Sequence, residues 1–378
     1  MAGALGSLLR LGAALLLVAA CAGPASPAAS PTIGPTTGPT QGATASTTPP
    51  TGTPALTAVP TASPGVPSTG VWARLAVAGE SPPAREAHTW TVDPATGSAY
   101  LFGGRDGVTT YSDLWRFDPR SERWARLEPG GTVPPGRFGH DAVWLPGRGL
   151  VVFAGQSAAG FFNDLWLYDP VAATWSLLPA GGDPPVPRYG SCAVLGSDGR
   201  LWISHGFTED GVRFADTRAY DFAAGAWVDQ TPAVGDLPVA RCLHACFEAD
   251  DGRFILFGGQ TTGTAALGDL WALSAFTEAD SWAEIGGTLP PPRNLYASVR
   301  TDSAFVVFGG GSLEGGFRDD TWTFSGFDLS AAPLSTTGEP PAARRAAAFA
   351  EDVAGGRLLL FGGWDGTAYD DLWILTLS

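Results

Sequence analysis

Short apolar runs recur along the chain from residue 71 onward, and each ends at small or polar residues. Six of them are rich in β-branched and aromatic side chains: AYLFGG, LVVFAG, LWISHG, FILFGG, FVVFGG and LLLFGG. Runs of this length that end at a glycine turn are typical of buried strands. No stretch of the sequence after residue 71 has a convincing helical period, so the pattern predicts an all-β fold.

Each of these runs lies downstream of an arginine that follows a proline-rich turn. Successive arginines are 52, 51, 53, 52 and 51 residues apart, which is too regular for chance over six copies. The six repeat arginines are Arg85, Arg137, Arg188, Arg241, Arg293 and Arg344. Asp-Leu-Trp and then Trp-x-x-Leu, or variants of them, follow each run. One unit therefore holds four short strands, and such units repeated around an axis form a β-propeller.

The last unit lacks its fourth strand, because the chain ends on YDDLWILTLS. A spare copy of that strand begins the domain. Residues 71–85 read VWARLAVAGESPPAR and match RWARLEPGGTVPPGR at 123–137 almost residue for residue. We expect the first strand of the domain to complete the last blade, so that both termini are held in one sheet. In the fifth unit the motif of the fourth strand is poorly kept, with Ala331 and Pro333. Proline is tolerated there because the fourth strand is an edge strand.

The glycine pair, the aromatic residue downstream of it and the spaced tryptophans together resemble the Kelch repeat. This resemblance covers residues 71–378 and implies a six-bladed propeller whose strands run from A at the axis to D outside. It implies that the Arg-to-His segment is strand A, that Phe-Gly-Gly ends strand B, that Asp-Leu-Trp is strand C and that Trp-x-x-Leu is strand D.

The loops after the apolar runs differ from copy to copy, which makes them better candidates for recognition than the repeated motifs. By resemblance to Kelch domains, the B–C and D–A loops share one face around the mouth, where such domains commonly hold ligands. Arginine and carboxylates beside aromatic rings suit a sugar or a peptide. The candidate ligand-binding residues are Arg105, Asp106, Gln156, Phe207, Glu209, Gln260, Trp364 and Asp365.

The expected function is therefore a binding module that presents a Kelch propeller to a protein, a peptide or a glycan. The alternative is an exported enzyme on the same scaffold, such as a sugar epimerase or mutarotase. Such an enzyme needs an acid/base pair in the mouth, and the sequence singles out no convergent pair or catalytic residue. Fold alone does not decide between the two.

The N-terminal segment predicts export. Residues 1–20 contain one early arginine and a run, Leu11 to Ala20, that is too short to span a bilayer and is typical of a secretory signal. Its end, VAAC, resembles the lipobox of bacterial lipoproteins, which implies cleavage before Cys21 and acylation of the Cys21 thiol. An ordinary signal peptide with a coincidental cysteine is the alternative. We expect an envelope protein outside the cytoplasm that contacts the membrane through its lipid alone.

Residues 21–70 predict a tether. Residues 22–70 contain no charged and almost no large apolar residue, so this segment cannot bury enough surface to order itself. A flexible coil of that length spans about 35–40 Å.

The formal net charge is −15 and every basic residue is arginine, which argues against a nucleic-acid partner because phosphates need a positive footprint. We expect a monomer.

Three histidines, His88, His140 and His244, stand three places after a repeat arginine. Their place in the repeat favours a structural role over metal ligation, and no metal or cofactor is expected. The glycine pairs end a strand with no helix after it, so positive φ explains them better than phosphate binding.

Three cysteines follow the tether. Cys242 and Cys246 lie too far apart along one strand to bridge. Cys192 and Cys246 have opposite parity relative to their repeat arginines, which places them on facing sides of neighbouring blades. A Cys192–Cys246 bridge is the hypothesis, and three buried thiols are the alternative.

Overall fold

The structure is a computed structural model that describes residues 65–263, 265–274, 281–312 and 315–378. The predicted signal segment (1–20), Cys21 and nearly all of the predicted tether (21–70) lie outside the described residues. Within the described ranges, six antiparallel four-stranded sheets form the blades of a propeller, as the sequence predicts.

In each blade the strands run from A at the axis to D at the periphery. Blade 1 has Thr89–Val92, Ala99–Phe102, Leu114–Asp118 and Arg123–Leu127; blade 2 has Asp141–Leu145, Gly149–Phe153, Leu165–Asp169 and Thr174–Leu177. Blade 3 has Cys192–Leu195, Leu201–Ser204, Thr217–Asp221 and Ala226–Asp229; blade 4 has Ala245–Glu248, Phe254–Gln260, Ala266–Leu273 and Trp282–Ile285. Blade 5 has Ala297–Arg300, Ala304–Phe308, Thr321–Ser325 and Ala331–Pro333; blade 6 has Ala348–Asp352, Arg357–Phe361, Leu372–Leu377 and Thr69–Leu75.

The first strand completes the last blade, which confirms the predicted closure. Thr69–Leu75 pairs antiparallel with Leu372–Leu377, and Trp72 lies opposite Leu375. The indole of Trp72 is buried between Phe308 of blade 5 and Phe349 of blade 6. The strand begins two residues before the predicted boundary at residue 71.

Short segments leaving one blade pair with the outer strand of the next. Gly181–Gly182, after blade 2, lies parallel to Ala226–Asp229 of blade 3. Ser335–Gly338, after blade 5, lies parallel to Thr69–Leu75 in blade 6. These additions cover backbone groups that an edge strand otherwise leaves unpaired.

The six repeat arginines make the same contacts in every blade. Each side chain is buried and forms a bidentate ion pair with the aspartate that precedes strand C of its own blade, as Arg85 does with Asp113 at 2.7 and 2.8 Å. Each guanidinium also donates to the carbonyl at or next to the end of strand B, as Arg85 does to Gly103. The partners of the other five arginines are Asp164, Asp216, Asp269, Asp320 and Asp371. These contacts support the structural role that repetition suggested.

One assignment from the resemblance is wrong in detail. Strand A begins four residues after the repeat arginine, for example at Thr89, and not at the arginine itself. The cause is the residue two places after the arginine, such as Ala87, which has a positive φ and turns the chain. The arginine side chain therefore packs within its own blade, and strand A starts after that turn.

Candidate functional site at the two ends of the propeller axis

A closed ring of backbone hydrogen bonds surrounds the axis at the end where strands A begin. Its six members stand two places after each repeat arginine and have φ values between 51° and 63°. Each N–H donates to the carbonyl of the equivalent residue in the preceding blade, at 2.5 to 3.1 Å. In order around the ring they are Ala87, Gly139, Gly190, Leu243, Leu295 and Ala346. The ring constricts the axial channel at this end.

The B–C loops lie on the same face as this ring, which we call the loop face. Each pairs through a β-bridge with the residue directly after a repeat arginine, as Arg105 does with Glu86 and Trp364 does with Arg345. Sequence reasoning missed this inner set: Glu86, Phe138, Tyr189, Cys242, Asn294 and Arg345. The signal was present, because this position differs in all six copies.

Blades 5, 6 and 1 form the charged side of the loop face. The buried carboxylate of Glu86 accepts hydrogen bonds from Arg105 at 3.1 Å and lies 3.7 Å from Arg345. The Arg345 guanidinium lies 5.7 Å from the ring of Phe317. Trp364 of blade 6 lies beside the blade 1 loop, close enough that a Cβ on Gly107 would be 3.4 Å from its ring. We call Glu86, Arg105, Phe317, Arg345 and Trp364 the charged patch.

Blades 2 and 3 form an apolar side of the same face. The rings of Phe138 and Tyr189 are 5.7 Å apart, and Phe207 packs against Tyr189 at 5.1 Å and against Phe161 at 5.5 Å. These rings form one cluster with Leu243 of the hydrogen-bonded ring. These side chains pack over the hydrogen-bonded ring and cover it on this side of the loop face.

The predicted ligand-binding residues divide into three groups. Phe207 and Gln260 are only 2% and 3% exposed, so they lie beneath the loop face. The prediction that these two side chains form part of the rim is wrong. Asp106 and Asp365 accept hydrogen bonds within their own loops. The other four side chains keep accessible surface: Arg105, Gln156, Glu209 and Trp364.

Asp106 illustrates the loop-shaping role. It accepts hydrogen bonds from the backbone N–H groups of Val108 and Thr109 and from the hydroxyl of Tyr111. Partial burial opposes ionisation, but these hydrogen bonds outweigh it and lower the pKa of Asp106. Burial and the same contact raise the pKa of Tyr111 to about 12. The carboxylate is therefore ionised and already engaged by its own loop.

The other end of the axis holds a channel of about 800 Å³, lined by strand A of every blade and reaching the A–B loops at Ser197 and Asp302. A recess of about 140 Å³ lies at the level of the ring. The side chains three places after each repeat arginine line both spaces: His88, His140, Ser191, His244, Tyr296 and Ala347. None of the eight predicted ligand-binding residues lines either space.

Polar contacts between neighbouring strands A lie in the wall of this channel. His140 Nε2 is 2.9 Å from the hydroxyl of Thr89, and the hydroxyl of Ser191 donates to Asp141 at 2.5 Å. Burial raises the pKa of Asp141 to about 7, against the opposing effects of the Ser191 hydrogen bond and the Arg188 charge. Burial also lowers the pKa of His88 and of His140 well below the usual value, so both rings are neutral.

Within the described residues, no three His, Cys, Asp or Glu side chains lie close enough to hold a metal ion. The structure joins Cys192 and Cys246 across blades 3 and 4 by a disulfide with a Cα–Cα distance of 5.7 Å. The sulfur of Cys242 is buried and lies 3.6 Å from the carbonyl oxygen of Gln260. The geometry is the one that the predicted bridge needs, and the formation of the bridge stays a prediction.

The described part of the chain contains no helix long and apolar enough to cross a bilayer. The solved structure of a protein named YjhT aligns with a TM-score of 0.61 and 16% identity, covering 79% of this chain and 99% of that one. At this identity the likeness shows the propeller fold alone.

Sequence comparison gives the family. Adagio protein 3 of Arabidopsis thaliana is 30% identical over 297 residues, covering 73% of this chain and 46% of that protein. Kelch domain-containing protein 3 of Bos taurus is 30% identical over 226 residues, covering 57% and 58%. The chain thus spans about half the length of these relatives. A family model described as the KLHDC2/KLHL20/DRC7 Kelch-repeats domain matches residues 66–247 and 228–378, so the chain belongs to the Kelch-repeat family.

Proposed function

We propose that this protein is a binding module whose charged patch contacts a protein, a peptide or a glycan. The observation that carries the proposal is the composition of the patch. Two arginines and a tryptophan that no other blade has at the equivalent position, together with Phe317, lie close to the buried carboxylate of Glu86. Arginine and aromatic side chains on a rigid support are the residues that most often dominate binding energy.

Rigidity supports this assignment. The charged patch rests on the hydrogen-bonded ring and on repeat arginines with fixed ion pairs, so little side-chain or loop ordering is required when a partner binds. The patch also has an exposed aromatic ring, since Phe317 of the blade 5 B–C loop is 38% exposed. A partner can cover this ring while its acidic or hydroxyl groups meet Arg105 and Arg345.

The test is site-specific photocrosslinking in intact envelopes. A photoreactive phenylalanine analogue replaces Phe317 on the loop face, or Phe327, which is 64% exposed on the C–D turn of the same blade. We expect a discrete adduct from position 317, abolished by Trp364→Ala, and none from position 327. Equal adducts from both positions, or an adduct that survives Trp364→Ala, would contradict the proposal.

We further propose that the protein is exported and held to a membrane by a lipid on Cys21. The lipobox-like VAAC and the charge-free segment 22–70 support this, since a lipid anchor needs a spacer to present a domain. Cys21→Ser should move the protein from the membrane fraction to the soluble fraction and remove incorporation of labelled palmitate. An unchanged membrane fraction would refute the anchor.

A sugar epimerase or mutarotase remains a second candidate because of one observation, the carboxyl of Asp141 in the channel wall. Its pKa of about 7 is suited to general acid/base chemistry at neutral pH. An anomerisation assay on wild type and Asp141→Asn decides this candidate. Turnover that Asp141→Asn abolishes would favour the enzyme, and wild-type rates equal to the buffer rate would exclude it for the sugars tested.

A further inference from the structure

Arg345 is almost buried in the loop face, yet its side chain donates no hydrogen bond to any described residue. The side chain is 10% exposed, and Nε is 3.7 Å from the Glu86 carboxylate, which is too far for a hydrogen bond. The two terminal nitrogens also have no partner among the described residues, but they reach the surface. A guanidinium taken out of water without acceptors is costly, so this side chain is suited to an acceptor that a ligand brings.

The other arginine of the charged patch is already engaged by the protein. Nε and Nη2 of Arg105 both donate to Glu86 at 3.1 Å. The Arg105 guanidinium also lies over the ring of Phe138, 4.1 Å from its centroid. These contacts fix the plane of Arg105 and use part of its donors. The two arginines therefore differ, and Arg345 has the larger unused hydrogen-bonding capacity.

The charges of the patch indicate the sign of the ligand. Arg105 and Arg345 both face the single carboxylate of Glu86, so two positive charges against one negative charge leave one positive charge. Glu86 is only 2% exposed, which reduces the screening of these charges by water. A cation would add to the positive charge and would bring no acceptor. An anion with one charge balances the patch and supplies acceptors to Arg345.

Two aromatic rings give the same site an apolar wall. The ring of Phe317 is 38% exposed and lies 5.7 Å from the Arg345 guanidinium. Trp364 is partly exposed and exchanges two backbone hydrogen bonds with Arg345, at 2.9 and 3.0 Å, which holds the two residues in a fixed relation. An apolar group beside the anion can pack against these rings while the anion meets the guanidinium.

We propose that the charged patch binds a singly charged oxyanion and that Arg345 is the residue that holds it. The terminal nitrogens of Arg345 donate two parallel hydrogen bonds to the oxyanion. Phe317 contacts the apolar group next to it, and Arg105 stays paired with Glu86. The oxyanion is a carboxylate or a phosphate diester of the partner. This inference rests on the proposed function, because it names the chemical group that the same patch recognises.

The test is an NMR titration of the full-length protein with acetate and, separately, with dimethyl phosphate. The reporters are the Nε–H signal of Arg345 and the indole N–H signal of Trp364, and sodium chloride at the same concentrations gives the baseline. We expect both signals to shift saturably with at least one of the two anions. A response to acetate alone identifies a carboxylate ligand, and a response to dimethyl phosphate alone identifies a phosphate diester.

Three conservative variants locate the binding residue through the Trp364 signal. Arg345→Lys should weaken anion binding about ten-fold or more, because lysine lacks the fork that pairs with an oxyanion. Arg105→Lys should weaken it less than about three-fold, since the donors of Arg105 are engaged by Glu86. The matched control is Arg126→Lys on the outer strand of blade 1, an exposed arginine paired with Glu128, which should change binding less than about two-fold.

Several results would overturn the proposal: no saturable shift with either anion, an equal response to chloride, or equal weakening by Arg345→Lys and either of the other two variants. The proposed function can fail separately. A crosslinked adduct from position 317 without an anion response would keep the binding surface and refute the oxyanion. An anion response without an adduct would support the oxyanion site and count against the proposed partner.

Discussion

The repeat arginines and the residues directly after them lie side by side in the chain but differ in almost every respect. At the arginine position, the same side chain makes the same ion pair and the same carbonyl contacts in all six blades. At the next position, six different residues reach the loop face and pair with loops of different sequence. Positions that repeat hold each blade together, and positions that vary shape the surface and the channel.

The same rule applies four places after the arginine, at the start of strand A. This position always points toward the following blade, but its residues differ: Thr89, Asp141, Cys192, Ala245, Ala297 and Ala348. Thr89 reaches His140, Asp141 accepts from Ser191, and Cys192 bonds to Cys246. The same backbone position therefore holds a hydrogen-bonding hydroxyl, a buried carboxyl group or a disulfide, depending on the blade.

The largest expected effect separates Arg344 from its neighbour Arg345. Arg344→Met removes the ion pair in which the two side chains are 1% and 9% exposed, and leaves Asp371 and the Gly362 carbonyl without their donor. We expect a loss of about 3–5 kcal/mol in the free energy of unfolding. Arg345→Met should cost less than about 1 kcal/mol, because Glu86 keeps Arg105. Denaturant titrations measure both, and equal losses would contradict the division of roles.

The disulfide gives the next effect. If the Cys192–Cys246 bridge forms, reduction should add two hydrogens to the intact mass, and the double variant Cys192→Ser, Cys246→Ser should lose about 2–4 kcal/mol of stability. Reduced wild type is the control, and it should resemble the double variant. An intact mass that is the same with and without reductant would leave three buried thiols as the correct description.

A smaller effect is pH dependence at Asp141. Its pKa is about 7 in the folded protein and about 3.9 when unfolded, so the folded state binds more protons in that window and stability falls as pH rises through it. We expect wild type to lose about 1 kcal/mol more than Asp141→Asn between pH 6 and pH 8. The low pKa values of the buried histidines affect both proteins alike. Parallel pH profiles would contradict the raised pKa.

The smallest effect is a gain. Ala348→Ser supplies the hydroxyl that His88 lacks and should stabilise the fold by about 0.5–1 kcal/mol. The matched control is Ala297→Ser, at the same position of blade 5, which faces Ala347 and gains no partner. Thermal melts at one pH distinguish the two variants. A control that stabilises equally would show that the hydroxyl does not act through His88.

Much of this fold could be predicted from the sequence, because the strongest signals were repeats. Six arginines at a fixed period predicted the blade number, and the spare copy of the last strand placed Trp72 in the sheet of the last blade. The parity of Cys192 and Cys246 placed them on facing blades. Each of these inferences needed only spacing and the alternation of side chains along a strand.

The binding surface was harder to predict because it depends on backbone conformation. Ala87 and Leu243 adopt a positive φ in the ring, and only Gly139 and Gly190 at the equivalent places hint at it. Without that ring the loops appeared to border an open mouth, whereas bridges to the inner residues bury Phe207 within the loop face. The open channel lies at the opposite end, where no loop motif marked it.

The central claim is that the varied residues of the loop face bind the partner. The most direct measurement is the affinity of the crosslinked partner for two arginine variants of blade 6. Arg345 lies in the charged patch, and Arg357, paired with Asp352 and Glu122, lies at the other end of the blade. We predict that Arg345→Ala weakens binding about ten-fold or more while Arg357→Ala changes it less than about two-fold. Equal weakening, or weakening by Arg357→Ala alone, would contradict the account.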